Sequence, residues 1–576
     1  MSSTLTDLPP EVILYNLLKL LPTADLLRLT LTSKYFASLC SDELFWKRRL
    51  HEDFNFDGAG TARQKGWKFI YRGLYRPNVY VWGERDNGRL GLKQYPAGTG
   101  AGVPFPTRLD IPRGRIIKLI AGGWSFHALD TEGNVYVWGT LDGTDYAWRN
   151  GFSEKGMKAP TPLRLILPDA IRNISCGRSH SCALDSKNKI WNFDNWGRPF
   201  ELSSPLLSQH GSEPIQIECG WAFSAVLMTD GEVLVWWPTR GRLANIVRTE
   251  TEKFNTEDIG KAQITSDGVI PCHTWKAISD PVLLPSLPTL PDISDVGESY
   301  KKHPPKLVKI GGMDSHLVGL TNYGHVVLFR GLDHEQAMGR VWEYIGVMQL
   351  PKFSELTKIV EHPVFSRGKV ALPASLKITH ISAHYHHFFA FSTGSSSIVL
   401  EGGTSTTPES TPKIIPELQH KDIISVEIGD YHRAALAANG KLYTWGNYSK
   451  GALGLGNLQT SWHDPKPVLV PTEVKFDHGR KKPKDQFCFS ATAAGWHTGA
   501  LVIDLEPDKN EEDDRSNLEF EAPHQNLRDG GSLWQNPPLI PPSPQVPHRD
   551  APFIHRFGLA RRGMNRGAGR GGGPSS

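Results

Sequence analysis

Apolar positions follow a helical period near the N-terminus and alternate, with a period of two, through most of the remaining chain. Val12, Ile13, Leu17, Leu18, Leu20 and Leu21 lie close to one helical stripe. Pro9 and Pro10 suit its start, and Pro22 stops it. Thr23 or Asp25 can cap a second helix carrying Leu26, Leu27, Leu29 and Leu31, and Ser41 a third holding Leu44, Phe45 and Trp46. The string QKGWKFIYRGLY at 64–75 predicts a further helix that spaces this module from the rest. A stretch of about 45 residues cannot readily bury so many leucines within itself, so part of this apolar surface is expected to meet a partner.

From residue 78 the pattern repeats. A small residue or Gly is followed, three or four positions on, often by His, then by an apolar pair, a turn, and Val/Leu-x-x-Trp-Gly. AGGWSFHALDTEGNVYVWG at 121–139 and IGDYHRAALAANGKLYTWG at 428–446 are the clearest copies; 175–193, 218–237, 310–329 and 381–400 keep the frame more loosely. Each reads as a β-hairpin. Val135 and Val137 alternate to one face, and Asp230-Gly231 and Asn439-Gly440 supply the turn chemistry. The Trp fills space between neighbouring units, and the Gly after it permits a sharp turn. Two half-copies remain. NVYVWGERDNGRLGL at 78–92 has no preceding strand, and TAAGWHTGALVID at 492–504 has no following one. Joined, they make one shared unit, as in a closed ring that leaves no sheet edge open. Six full copies and one shared copy make seven. The landmark apolar residue moves 93 positions between Leu227 and Leu320 with no further copy legible, so 239–306 reads as a long insertion, and 332–376 as a second.

Apolar residues make up 39% of the 576, enough for a large core. The net charge of +4 comes from 64 basic and 60 acidic residues, so overall composition does not point to a polyanion. Six cysteines without a Cys-x-x-Cys pair support neither a disulfide framework nor a zinc ribbon. The start, MSSTLTDLPPEV, has neither a basic nor an apolar leader stretch, and the greasiest run, 12–21, is broken by Asn16 and Lys19. A protein of the cytoplasm and/or nucleus is expected, with no membrane partner. From 505 the composition turns acidic, then Pro-rich, then Arg/Gly-rich, which predicts a disordered tail at 505–576. Its arginines (Arg561, Arg562, Arg566, Arg570) make a weak case for RNA contact. The basic run at 480–484 reads as a solvated loop more than as a nuclear address.

The N-terminal string LPPEVILYNLLKLLPTADLLRLTLTSKYFASLCSDELFWKRR resembles the F-box, through Leu8-Pro9, Glu11-Val12, Leu21-Pro22, Asp25-Leu26, Ser33, Phe36 and Trp46. The resemblance implies docking on a Skp-type adaptor and, through it, on a cullin ubiquitin ligase. It carries the adaptor contact over to Leu8, Pro9, Val12, Ile13, Leu17, Leu18, Leu21, Pro22 and Leu26. Apolar helical faces with few charges suit such an interface. The rival reading packs these leucines only among themselves. The repeats at 79–92, 121–129 and 442–455 resemble the regulator-of-chromosome-condensation repeat, which implies a seven-bladed β-propeller over 78–504. The expected fold is therefore all-β, preceded by a small all-α F-box module at 1–50 and a helical linker at 51–77. F-box followed by these repeats resembles the fungal SCF-associated factor family of substrate receptors. The central copies depart from the repeat by losing Trp-Gly at 193–194, 236–237, 329–330 and 400–401, which blurs the blade borders there.

His180, His316, His387, His432 and His497 share one repeat position. Copies around a propeller lie too far apart to share a metal at about 2 Å, so each is expected to be bonded within its own blade. The trio His384, His386 and His387 has no carboxylate or Cys nearby in sequence to complete a metal site. GALGLG at 451–456 lacks the ending of a phosphate loop, and no nucleophile or zinc-protease motif is present. No catalytic, cofactor or metal residue is assigned, and no substrate-binding residue is legible. The expected role is a non-enzymatic substrate-recognition subunit of an SCF ubiquitin ligase, whose propeller holds a protein for ubiquitination and degradation. The alternative is a propeller scaffold, a small-GTPase exchange factor or a chromatin binder acting without a cullin.

Overall fold

The computed structural model describes residue 5 and residues 8–505, apart from single positions and gaps at 145–150, 209–210, 291–302, 346–362, 367–369, 373–376, 457–466 and 479–484. The basic run at 480–484 and the tail from 506 lie outside the described residues, as do parts of both insertions. Among the described residues no helix is long and apolar enough to cross a membrane.

The first helix, α1 (Pro10–Val12), starts at a proline, where a missing N–H costs nothing. Helical winding continues, first loosened over Ile13–Leu17 and then tightened over Leu18–Leu20. It stops at Leu21, which is extended because Pro22 comes next. Three more helices complete the module: α2 Thr23–Leu29, α3 Lys34–Leu39 and α4 Glu43–Phe54. The caps differ from expectation. No side chain caps α2; instead the Thr23 hydroxyl meets the Tyr71 hydroxyl at 2.9 Å. Ser33 caps α3, and Asp42 rather than Ser41 caps α4, accepting from the Phe45 N–H at 2.7 Å. The helix α5, Trp67–Gly73, starts on the Glu43 carboxylate, which accepts from the N–H groups of Gly66 and Trp67 at 3.0 and 2.9 Å. Trp46, Phe54 and Tyr71 stack edge to face at about 5 Å, so α5 shares a core with the helices before it.

Seven blades form the ring, each with four antiparallel strands, and two of them carry a fifth, parallel strand. Their inner strands are 116–121, 171–176, 214–219, 307–312, 380–384, 423–428 and 486–494, and each neighbours the next until the last meets the first. The closing blade joins β1 (Asn78–Glu84) and β2 (Gly102–Leu109) to the final two strands of the chain, Gln486–Ala494 and His497–Asp504. There β1 pairs with the last strand from Asn78↔Val502 to Gly83↔His497. The glycines of Trp-Gly do turn the chain: Gly83, Gly139 and Gly446 have φ of 109°, 90° and 110°. A Cβ on Gly446 would lie 2.5 Å from the Tyr431 carbonyl oxygen.

The long insertions correct the sequence reading, because each contains its own blade's outer strand. Residues 239–306 begin with α6, Gly241–Thr256, whose Leu243, Val247 and Phe254 are buried. The chain then runs back along two earlier blades. Val269–Pro271 pairs in parallel with Ala159–Ile166, and Trp275–Ile278 with Phe200–Ser203, before Val282–Leu283 completes the third blade. The buried Arg198 anchors this excursion, donating to Asn255 at 2.7 Å and to the Gly260 carbonyl at 3.0 Å. In 332–376, Glu343–Tyr344 is the fourth strand of its blade. Two-residue strands carry too little alternation to be read in a sequence.

The histidines are a second correction. His180 bonds Ser224 at 2.7 Å, His432 bonds Thr498 at 2.8 Å, and His497 meets the Ser125 carbonyl at 3.2 Å. Each partner belongs to the next blade, so these imidazoles staple blades together. His387 follows the expectation and contacts Glu401 of its own blade at 3.4 Å, while His316 bonds the adjacent Ser315. Among the described residues no group of three His, Cys, Asp or Glu could hold a metal.

Burial lowers the His432 pKa from 6.5 to about 3. Its neutral form therefore stabilises the fold at neutral pH. As pH falls below the unfolded value the unfolded chain takes the proton first, and the loss reaches about 2 kcal/mol near pH 5. Glu218 and Glu427, raised to about 7, work in the opposite direction. A His432→Asn variant keeps them and removes only the imidazole. Its unfolding free energy is expected to fall by about 2 kcal/mol less than wild type between pH 7 and about pH 5, as measured by urea unfolding at both.

Candidate adaptor and substrate surfaces

The helical module separates its leucines into two sets. Ile13, Leu18 and Leu26 are at most 2% exposed and face the module's own core. These three were expected on the docking surface; their stripe turns inward into a core that also holds residues of α4 and α5. Leu8, Pro9, Val12, Leu17 and Pro22 are exposed, and Leu21 is half-buried. Leu20, Leu27, Leu31 and Leu44 join the exposed apolar set, with Leu31 86% exposed. Large apolar side chains left in water this densely mark an interaction surface.

The module is clamped to the ring. After α4, Asn55 takes a left-handed conformation (φ 53°) and turns the chain into one mouth of the central channel. Its amide donates to the Ile171 carbonyl at 3.0 Å, Phe56 stacks on Phe489, and the Ala62 N–H donates to the Ile424 carbonyl at 2.6 Å. Arg63 donates to the Ala438 carbonyl at 3.1 Å, and Phe69 packs on Phe487. A Cβ on Gly73 would fall 2.1 Å from Ile503, which shows how closely α5 lies on the closing blade. Behind this segment is a cavity of about 390 Å³ whose walls carry Lys118, Lys309, Glu218 and Glu427. Desolvation raises both glutamates to about 7 and lowers the pKa of Lys309.

The opposite mouth is formed by the seven turns between inner and second strands. These turns present Trp124, Arg178, Trp221, Asp314, Tyr385, Tyr431 and Trp496, one from each blade in order. Backbone bonds pass from turn to turn: Gly123 N–H to the Gly177 carbonyl (3.3 Å), Trp221 to Asp314 (3.0 Å), Asp314 to Tyr385 (2.8 Å) and Asp430 to Gly495 (2.9 Å). Arg178, from the second blade, forms an ion pair with Asp430 of the sixth and so spans the mouth. Its guanidinium lies 5.1, 4.9 and 5.0 Å from the ring centroids of Trp124, Trp221 and Tyr385. Lys450 lies over Trp496 at 5.2 Å and pairs with Glu84 and Asp86. Sequence reading passed over this set because it followed the histidines. The signal was an aromatic residue in these short turns, directly before the position of the repeat histidine in Trp124, Tyr431 and Trp496 and one place earlier in Trp221 and Tyr385.

The F-box-like family model matches residues 5–52, and the regulator of chromosome condensation (RCC1) repeat matches 78–129 and 439–501. Human E3 ubiquitin-protein ligase HERC2 is 31% identical over 203 residues, 33% of this chain. SCF-associated factor 1 of Saccharomyces cerevisiae is 38% identical over 96 residues, 15% of this chain. The chain spans only 4% and 14% of those two relatives' lengths. The solved structure of Prp20p from Saccharomyces cerevisiae covers 77% of this chain and 95% of that one at 17% identity, with a TM-score of 0.47. The chain joins an F-box-like module to RCC1-type repeats in a seven-bladed β-propeller, and in this it resembles the fungal SCF-associated factors.

Proposed function

We propose that this chain is the substrate-recognition subunit of an SCF-type E3 ubiquitin ligase, working in the cytoplasm or nucleus. The exposed face built from Leu8, Pro9, Val12, Leu17, Leu21 and Pro22 docks on a Skp-type adaptor and through it on a cullin. Ile13, Leu18 and Leu26 hold that face from beneath. The propeller binds a protein to be ubiquitinated and degraded. The observation that carries this reading is the two-ended build: a module with an exposed apolar face is clamped to one mouth of the ring, and the opposite mouth presents exposed aromatic rings. Such a receptor needs no catalytic group of its own. It contributes by holding substrate at high effective concentration beside a ubiquitin carrier, and a rigid clamp keeps that geometry defined where a flexible tether would spread it.

The test is assembly from purified parts. Full-length protein mixed with adaptor, and then with adaptor and cullin, is expected to elute as one complex in each case on size-exclusion chromatography. Separate elution from the adaptor would overturn the docking assignment. Adaptor binding that excludes the cullin would point to a role outside the ligase.

A further inference from the structure

The mouth opposite the F-box is chemically incomplete by itself. Asp314 is 8% exposed, and its Oδ2 has no hydrogen-bond partner among the described residues. Leaving a buried carboxylate oxygen unpaired is costly. Desolvation raises the Asp314 pKa to about 7, against the Arg178 guanidinium, which lowers it, and with the carboxylates of Asp430 and Asp333, which raise it further. That guanidinium engages Asp430 through Nη1, and its Nε has no hydrogen-bond partner among the described residues. The adjoining group, Glu84 and Asp86 with Arg89 and Lys450, is balanced and paired within itself. The nearby imidazoles of His384 and His386 are held toward their neutral forms by burial. The mouth as a whole therefore carries an excess of carboxylate.

The rings at the mouth are of the kind that receive cations, and the chain uses them so. Three hold Arg178, and Trp496 holds Lys450. Trp221 and Tyr431 remain 39% and 46% exposed at the rim. An acidic ligand would meet Asp314 and Asp430 unfavourably. A purely apolar one would leave the buried Asp314 oxygen without a donor. A cation supplies the missing donor and the missing charge together.

We propose that this mouth binds a basic side chain, lysine or arginine, of the protein substrate, with Asp314 as its counter-charge and the Trp221, Tyr385 and Tyr431 rings as its walls. The proposal rests on the propeller's being a substrate receptor and specifies what that receptor selects.

The probe is a set of fluorescein-labelled decapeptides, each carrying one central Lys or Arg among Ser and Gly. Their twins carry acetyl-lysine or citrulline at the same position. They are titrated by fluorescence anisotropy into full-length protein saturated with adaptor. The basic peptides are expected to bind at least about tenfold more tightly than their neutral twins. Asp314→Asn and Trp221→Ala are each expected to weaken them by about tenfold. Asp314→Asn removes a buried carboxyl whose pKa burial already raises to about 7, so its melting temperature is expected to hold or rise, and lost binding then does not report misfolding. Equal binding of basic and neutral twins overturns the proposal, as does unchanged binding by Asp314→Asn. Adaptor binding in the same samples separates the two ideas. Adaptor bound without peptide selectivity defeats the mouth assignment and leaves the receptor reading standing. Selectivity without adaptor binding defeats the ligase reading and leaves the mouth assignment standing.

Discussion

Leu8→Ala combined with Pro9→Ala is expected to weaken adaptor binding by about two to three orders of magnitude while leaving the melting temperature unchanged. Both residues are exposed in the free chain, so shortening them opens no cavity. In the complex their apolar surface would be buried, and a leucine alone then contributes about 1.5–3 kcal/mol. Adding the proline gives about 3–4 kcal/mol, and each 1.4 kcal/mol is about tenfold in affinity. Ile13→Ala is the necessary contrast. Ile13 is fully buried, so truncation there costs about 2–5 kcal/mol of fold stability, and both melting and binding suffer. Titration calorimetry with the adaptor and scanning calorimetry of each variant read the two quantities separately. A Leu8→Ala/Pro9→Ala variant that binds like wild type would remove these residues from the interface.

Closure of the ring has an equally large expected effect. A chain ending at 485 lacks the strands Gln486–Ala494 and His497–Asp504 and exposes the edge of β1 that the last strand covers. The lost strands bury Cys488, Phe489, Leu501, Val502 and Ile503, among others. At about 1.5–3 kcal/mol for each large apolar side chain, their loss alone matches the roughly 5–15 kcal/mol by which a domain is typically stable. That chain is expected to be insoluble, because an open β1 offers unpaired N–H and C=O groups to other molecules. A chain ending at 505 keeps every described strand and is expected to melt with the full-length protein. Soluble expression and circular-dichroism melting of both truncations check this. A folded, monomeric chain ending at 485 would contradict the shared blade.

What the sequence made legible, and what it hid, divides along physical lines. The seven-fold count was readable because each blade repeats one hairpin with the same Gly and Trp constraints, and because the half-copies at 78–92 and 492–504 complement each other. Outer strands such as Val282–Leu283 were not readable: two paired residues leave no period, and the chain reaches them only after an excursion past other blades. The helical stripe located the docking module. It could not separate Leu18 from Leu17, since which neighbour faces water depends on where α4 and α5 pack. The histidine staples escaped because their bonds cross to the next blade, to partners 44, 66 and 372 residues away. The mouth residues shift between two adjacent positions of the turn and differ in chemistry from copy to copy, so no single position or residue type announced them.

The clamp at 55–62 also shapes how function can be probed. Removing the F-box through residue 60 would open the channel mouth and strip Phe56 from Phe489, so lost function could reflect a damaged ring. Point variants on the exposed face avoid this. The most direct test of the receptor account is therefore a proteome-wide measurement of protein half-lives in cells carrying wild type, Leu8→Ala/Pro9→Ala or Trp221→Ala as the sole copy. The account predicts that one shared set of proteins is stabilised by both variants, because losing the ligase and losing the substrate have the same consequence. Half-lives unchanged in the Leu8→Ala/Pro9→Ala cells would contradict it.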